Sequence, residues 1–133
     1  MNTSKLNPTS TALLTAAKKS QHHAYAPYSG FKVGAALLAN NGKIYAGCNV
    51  ENASYPLGTC AEAGAISAMI ADGATKIERL LIVGPTDEHC FPCGGCRQKI
   101  AEFSSPDTPI VMSGATDHAT TIGELLPNSF ALD

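Results

Sequence analysis

The sequence predicts an α/β protein in which a mixed β-sheet is flanked by helices, and three observations predict it. Segments with helical spacing alternate with short apolar runs in the order helix, hairpin, helix, strand, helix, strand. Asn40-Asn41-Gly42 separates two apolar runs and is a strong hairpin signal, which imposes an antiparallel pair. The later strands are joined through helices, which implies parallel pairs. At 133 residues the chain is the size of one domain, residues 1–133, with no internal repeat, low-complexity tract or linker.

Each element has its own signal. Residues 11–24 carry Ala12, Leu13, Ala16 and Ala17 with a basic end, an amphipathic helix broken by Pro27 and Gly30. Residues 31–39 and 43–50 are the two hairpin strands. Pro56 and Gly58 mark a loop. Residues 59–71, rich in Ala, Glu, Ile and Met, read as a helix ended by Asp72-Gly73. A compact apolar strand follows at 78–83, closed by Gly84-Pro85. Helical spacing at Cys96, Ile100 and Phe103 predicts a helix over 93–103. Residues 108–112 form a fourth strand, 118–121 a fifth, and 122–126 one helical turn stopped by Pro127-Asn128.

Bulk properties exclude several function classes. The chain is 44% hydrophobic and 15% charged, the composition of a folded globular protein. Nine basic residues stand against eleven acidic, a net charge of −2, and Lys18-Lys19 is the only adjacent basic pair. Nucleic acid is not an expected partner, because such binding needs several phosphates neutralised; a small neutral substrate fits better. Residues 1–10 are polar and lack the pattern of a secretory signal. Apolar runs such as 80–83 are too short to cross a bilayer. A cytoplasmic protein with no membrane partner is expected.

The five cysteines, at 48, 60, 90, 93 and 96, are odd in number, which argues against a disulfide framework and for thiol or metal chemistry. Cys93-Gly94-Gly95-Cys96 alone could be a redox pair, half of a structural zinc site, or chance. Cys60-Ala61-Glu62, opening the preceding helix, adds a third thiol and a carboxylate with no evident structural duty. Pro92 favours a helix start at Cys93, so Cys93 and Cys96 share one face of a first turn. With Thr59 or a neighbour as cap, the first turn of the earlier helix carries Cys60. Helix N-termini stabilise thiolates, the species that bind zinc. Three protein ligands leave the fourth tetrahedral position open for water, the mark of a catalytic zinc. A four-thiolate structural site that includes Cys90 is the competing reading, and Pro92 opposes it by disfavouring helical geometry at Phe91. Cys48, at a strand end, reads as a small hydrophobe, and His22, His23, His89 and His118 lack ligand spacing. Zinc-bound water beside a carboxylate matches the general pattern of zinc deaminases, in which a non-ligand Glu is the general acid/base. In that scheme Glu62 shuttles protons from the zinc-bound water to a ring nitrogen and to the departing amine. A zinc-stabilised, non-enzymatic binding module is the other class of reading.

Nearly the full length of the chain resembles the small homotetrameric, three-cysteine cytidine deaminases. The resemblance runs through Ala26-Pro27-Tyr28-Ser29, Phe31, the stretch from Val33 to Leu38, and Gly47-Cys48-Asn49-Val50-Glu51-Asn52-Ala53-Ser54-Tyr55. It continues through Cys60-Ala61-Glu62, Pro92-Cys93-Gly94-Gly95-Cys96-Arg97-Gln98 and Glu124-Leu125-Leu126-Pro127. It implies a three-layer α/β/α fold with a mixed five-stranded sheet and one Zn²⁺ per subunit on Cys60, Cys93 and Cys96. It also implies hydrolysis of cytidine and 2′-deoxycytidine to uridine and 2′-deoxyuridine plus ammonia, as in pyrimidine salvage. Asn49 and Glu51 match the residues that bond the sugar hydroxyls, Phe31 the aromatic beside the pyrimidine, and Ala61 a backbone donor to the base carbonyl. Ala53, Tyr55 and Phe130 match positions that reach a neighbouring subunit's site in a homotetramer with shared active sites. Another amino-heterocycle, as in the related blasticidin S deaminases, is the alternative substrate. One position departs. The family often has Arg after the catalytic Glu, where it offsets thiolate charge, and here Ala63 and Gly64 follow instead. Three thiolates on Zn²⁺ leave a net negative shell that raises the pKa of bound water, so Arg97 or another cation is expected to compensate.

Overall fold

The computed structural model describes residues 8–132; most of the segment read for a secretory signal, residues 1–7, lies outside them. Helix α1, Pro8–His22, starts three residues earlier than its apolar spacing suggests, because proline's fixed φ suits a first helical position. Lys19 and His22 occupy its last turn, where cations face the negative end of the helix. Strand β1, Gly34–Ala39, turns through Gly42, whose φ of 83° is open to glycine, into β2, Ile44–Cys48. The expected start of the first strand at residue 31 is corrected to 34. Asn49 explains it: its Oδ1 accepts the Val33 N–H (2.9 Å) and its Nδ2 donates to the Phe31 carbonyl (2.8 Å), so a side chain takes what a strand neighbour would.

A 3-10 turn, Tyr55–Leu57, leads to α2, Ala61–Ala71. Next come β3, Ile77–Val83; α3, Gly94–Glu102; β4, Pro109–Ser113; β5, His118–Thr121; and the short α4, Ile122–Leu125. Thr121 caps α4, its hydroxyl accepting the Glu124 N–H at 3.2 Å. The sheet order is β2-β1-β3-β4-β5. It is mixed and five-stranded, as expected, but only β3 and β4 pair in parallel; the other three pairings are antiparallel. The β2-α2-β3 crossover passes over β1, so β3 lies antiparallel to β1 rather than beside β2.

Alternation along each strand divides the core into two layers. Ala36, Leu81, Val83 and Val111 pack under α1 with Leu13 and Ala17. Ala35, Leu37, Leu80, Ile82, Ile110 and Met112 pack under α2 and α3 with Ala65, Met69 and Ile100. A close approach sets the depth of α2. A Cβ on Gly47 would lie 2.4 Å from Ala65 N and 2.6 Å from Ala61 O, so only glycine lets the first turn of α2 seat against β2. Among the described residues, no helix is long and apolar enough to cross a membrane.

Candidate functional site

Two helix N-termini and one returning loop build the site. Cys60 is the N-cap of α2, in extended geometry, and its carbonyl accepts the Gly64 N–H at 3.2 Å. Cys93 stands in the same position on α3, its carbonyl accepting the Arg97 N–H at 2.9 Å. The expectation that Thr59 or a neighbour caps a helix with Cys60 in its first turn is corrected by one residue: the cysteine itself is the cap position. Antiparallel bonds between Val50 and Thr59, both 2.9 Å, close the loop after β2 and return the chain to Cys60. That closure puts Asn49 and Glu51 beside the start of α2.

The sulfurs of Cys60, Cys93 and Cys96 lie within 4.8 Å of one another, the group of possible metal ligands found among the described residues. In a tetrahedral zinc site, Zn–S bonds of about 2.3 Å put sulfurs about 3.8 Å apart, so the donor set fits zinc with small adjustment. Its electrostatics favour a cation. Burial pushes the Cys60 thiol up, and the neighbouring Cys93 and Glu62 charges add to it. Burial pushes Cys96 far up, helped by Glu62 and Cys60. Cys93 is lowered, because the Cys96 backbone N–H, and more weakly that of Gly95, faces its sulfur without closing a full cap bond. A divalent ion at the centre turns three mutually repelling thiolates into ligands.

Glu62 is 5% exposed. Burial raises its pKa, partly offset by its own backbone N–H, the Cys96 thiol and the charge of Lys99. Cys90, half-buried, stays out of the cluster. A Cβ at Gly84 would lie 3.7 Å from its sulfur, so Cys90 packs against the end of β3 instead. Cys48 is half-buried at the end of β2, more exposed than a core hydrophobe. Arg97, expected with or in place of another cation to offset thiolate charge, spends its hydrogen bonds on the backbone. Its Nε donates to the Pro92 carbonyl (2.8 Å) and its Nη1 to the Leu125 carbonyl (3.0 Å), bracing the loop before α3 rather than bonding a thiolate. His89 bonds the Thr116 carbonyl (2.8 Å) and packs with Phe91 and His118; the metal group includes no histidine among the described residues.

A cavity of about 780 Å³ opens over the cluster. Cys60, Ala61, Glu62 and Cys93 border it, with Asn49, Glu51, Ala53 and Tyr55. Phe31 and Phe130 do not line it in this chain. The Phe31 ring lies near Gly84, and Phe130 is 70% exposed, its backbone held by the Gln98 amide at 2.9 and 3.1 Å. Tyr28, Ser29 and Phe91 line the cavity without having been singled out as site residues. Phe91 offered one signal, a large aromatic between two cysteines in a polar loop; Tyr28 and Ser29 offered only their place in a shared motif.

Thiol ligands at converging helix N-termini, with a buried carboxylate at the same cavity, define a zinc-dependent hydrolytic domain. The family model described as the cytidine and deoxycytidylate deaminase zinc-binding region matches residues 8–112. A cytidine deaminase of Sporosarcina psychrophila is 42% identical over 121 residues, covering 90% of this chain and 89% of that one. One from Halalkalibacterium halodurans is 37% identical over 123 residues, covering 91% and 93%. The crystal structure of cytidine deaminase from Burkholderia pseudomallei superposes with a TM-score of 0.85 at 44% identity, over 90% of this chain and 98% of that one. The chain belongs to the cytidine deaminase family of enzymes, and its thiol cluster carries one zinc per subunit.

Proposed function

We propose that the chain hydrolyses cytidine and 2′-deoxycytidine to uridine and 2′-deoxyuridine plus ammonia, serving pyrimidine salvage. The observation that carries the mechanism is Glu62, 5% exposed yet bordering the cavity beside Cys60 and Cys93. Zinc, when bound by Cys60, Cys93 and Cys96, supplies a Lewis acid that lets water ionise near neutral pH. Glu62 accepts the proton of the attacking water and passes it to the ring nitrogen next to the amino-bearing carbon. It then takes the second proton of the added hydroxyl and delivers it to the amine, which leaves as ammonia while the carbonyl forms. A raised carboxyl pKa suits this shuttle, since the group must hold and release a proton near neutrality.

Asn49 and Glu51 take the sugar hydroxyls, Phe31 packs beside the base, and the Ala61 N–H donates to the base carbonyl. Their support is position: Asn49, Glu51 and Ala61 border the cavity, and Phe31 is tied to Asn49. Ala53, Tyr55 and Phe130 contribute across subunits of a homotetramer. Tyr55 at 91% exposed and Phe130 at 70% are large apolar side chains that this chain alone leaves uncovered. The lining carries no lysine or arginine among the described residues, which favours a nucleoside over a nucleotide.

The test is Glu62→Gln in the zinc-loaded protein. It should lower kcat by about 10²–10⁴-fold with one zinc retained per subunit by elemental analysis. Undiminished turnover would defeat the assignment. Ultraviolet assays of cytidine, deoxycytidine, cytosine and deoxycytidylate side by side set the substrate scope.

A further inference from the structure

The loop between α1 and β1 folds onto the Glu51 side chain, and one hydroxyl sits at the centre of that contact. Glu51 Oε1 accepts the backbone N–H groups of Tyr28 (3.0 Å) and Ser29 (3.1 Å), and Oε2 accepts the Ser29 hydroxyl. The same Ser29 oxygen accepts the Phe31 N–H at 2.9 Å. Gly30, at φ 71°, supplies the left-handed turn between Ser29 and Phe31. The Phe31 carbonyl is held by Asn49, so its backbone is fastened on both sides.

We propose that Ser29 is a positioning residue for nucleoside recognition, its hydroxyl locking the Glu51 carboxylate to the backbone of Phe31 so that sugar and base contacts are set together. This rests on the roles given above to Glu51 and Phe31. An ionised carboxylate offers about four acceptor positions. Two amides and the Ser29 hydroxyl fill three, leaving one for an incoming O–H from the cavity that Glu51 and Ser29 both border. Without the hydroxyl, Oε2 loses its fixed partner and the carboxylate is free to rotate, so binding would have to order it first. The bonds also hold Glu51 below the usual carboxylate range, the Ser29 hydroxyl acting most strongly, so the acceptor stays ionised. Ser29 is exposed, and the Phe31 N–H it would release can turn to water. Loss of the hydroxyl therefore costs recognition rather than folding.

Steady-state kinetics on zinc-loaded Ser29→Ala, Ser29→Thr, Glu51→Gln and the double variant Ser29→Ala/Glu51→Gln test this. Ser29→Ala should raise KM for cytidine about tenfold, with kcat within about twofold, zinc content unchanged and Tm unmoved. Ser29→Thr, which keeps the hydroxyl, should restore KM. The double variant should bind no worse than Glu51→Gln alone, because both changes remove the same contact. A wild-type KM in Ser29→Ala, with KM raised in Glu51→Gln, overturns the role of Ser29 and leaves that of Glu51 standing. A wild-type KM in Glu51→Gln overturns the sugar-contact reading, and the present one with it. Additive effects in the double variant overturn the coupling.

Discussion

On one face of the sheet, α1 lays Leu13 and Ala17 against Ala36, Leu81, Val83 and Val111. On the other, α2 and α3 cover Ala35, Leu37, Leu80, Ile82, Ile110 and Met112. The same strands supply both faces, and both are buried by the same alternation. Their difference lies at the helix ends. The face of α1 contributes apolar side chains to a core, whereas α2 and α3 bring their N-termini together and set a cysteine at each cap position. Burial holds both layers in place; the partial positive charge of two helix starts stabilises the thiolates that let one of them hold a metal.

The largest effect should come from removing the metal. Chelation should take turnover to background and lower Tm in calorimetry, both restored by zinc, because folding free energy is linked to ligand binding. Turnover unaffected by chelation would erase the distinction between the faces. Leu81→Ala probes the other face. The side chain is 1% exposed, and its loss should cost about 2–5 kcal/mol by denaturant unfolding, with zinc content and kcat unchanged wherever the variant is folded. A matching loss of kcat would mean that α1 supports catalysis directly.

Gly47→Ala sharpens the contrast from within the metal-bearing face. The new methyl would press on Ala61 O and Ala65 N in the turn that carries Glu62, costing about 1–3 kcal/mol and lowering kcat together with stability. Stability lost with kcat intact would show that the turn tolerates displacement. The smallest effect belongs to the far end of α2. There the Tyr45 hydroxyl, and Lys43 at 3.4 Å, hold the Asp72 carboxyl below the usual aspartate range. Its folded pKa is depressed, so the contribution is present above the unfolded value and fades as pH falls through the folded one. Tm should drift down slightly in that acidic window, and Asp72→Asn should flatten the drift. Since the group is exposed, a steep change would point to carboxylates elsewhere.

Much of this was legible beforehand. The five strands, the hairpin at Asn40-Asn41-Gly42, and helices near 59–71 and 93–103 follow from period and punctuation, and the three-layer fold agrees with the resemblance. Boundaries moved where side chains intervened: Asn49 displaced the first strand to Gly34, and two cysteines took the cap positions. The antiparallel placing of β3 beside β1 was hidden, because a crossover helix fixes direction but not which strand is skipped. The hydrogen bonds of Arg97 to Pro92 and Leu125 were not legible beforehand. A guanidinium's partners are chosen by what folds within its reach.

By itself the sequence determined the groups whose geometry is local: Cys93 and Cys96 one turn apart, Glu62 two residues after Cys60, Pro92 at a helix start, and glycine in the turn at Gly42. Tertiary structure decided how these groups meet. Cys60 joins Cys93 because α2 and α3 pack on one face of the sheet, and α2 reaches its depth because Gly47 has no side chain. Ser29, Glu51, Asn49 and Phe31 become one hydrogen-bonded unit only when the loop before β1 lies against the loop after β2. Periodicity reports contacts within a few residues along the chain. Contacts between distant segments depend on which apolar faces bury each other, and that becomes definite only in the folded state.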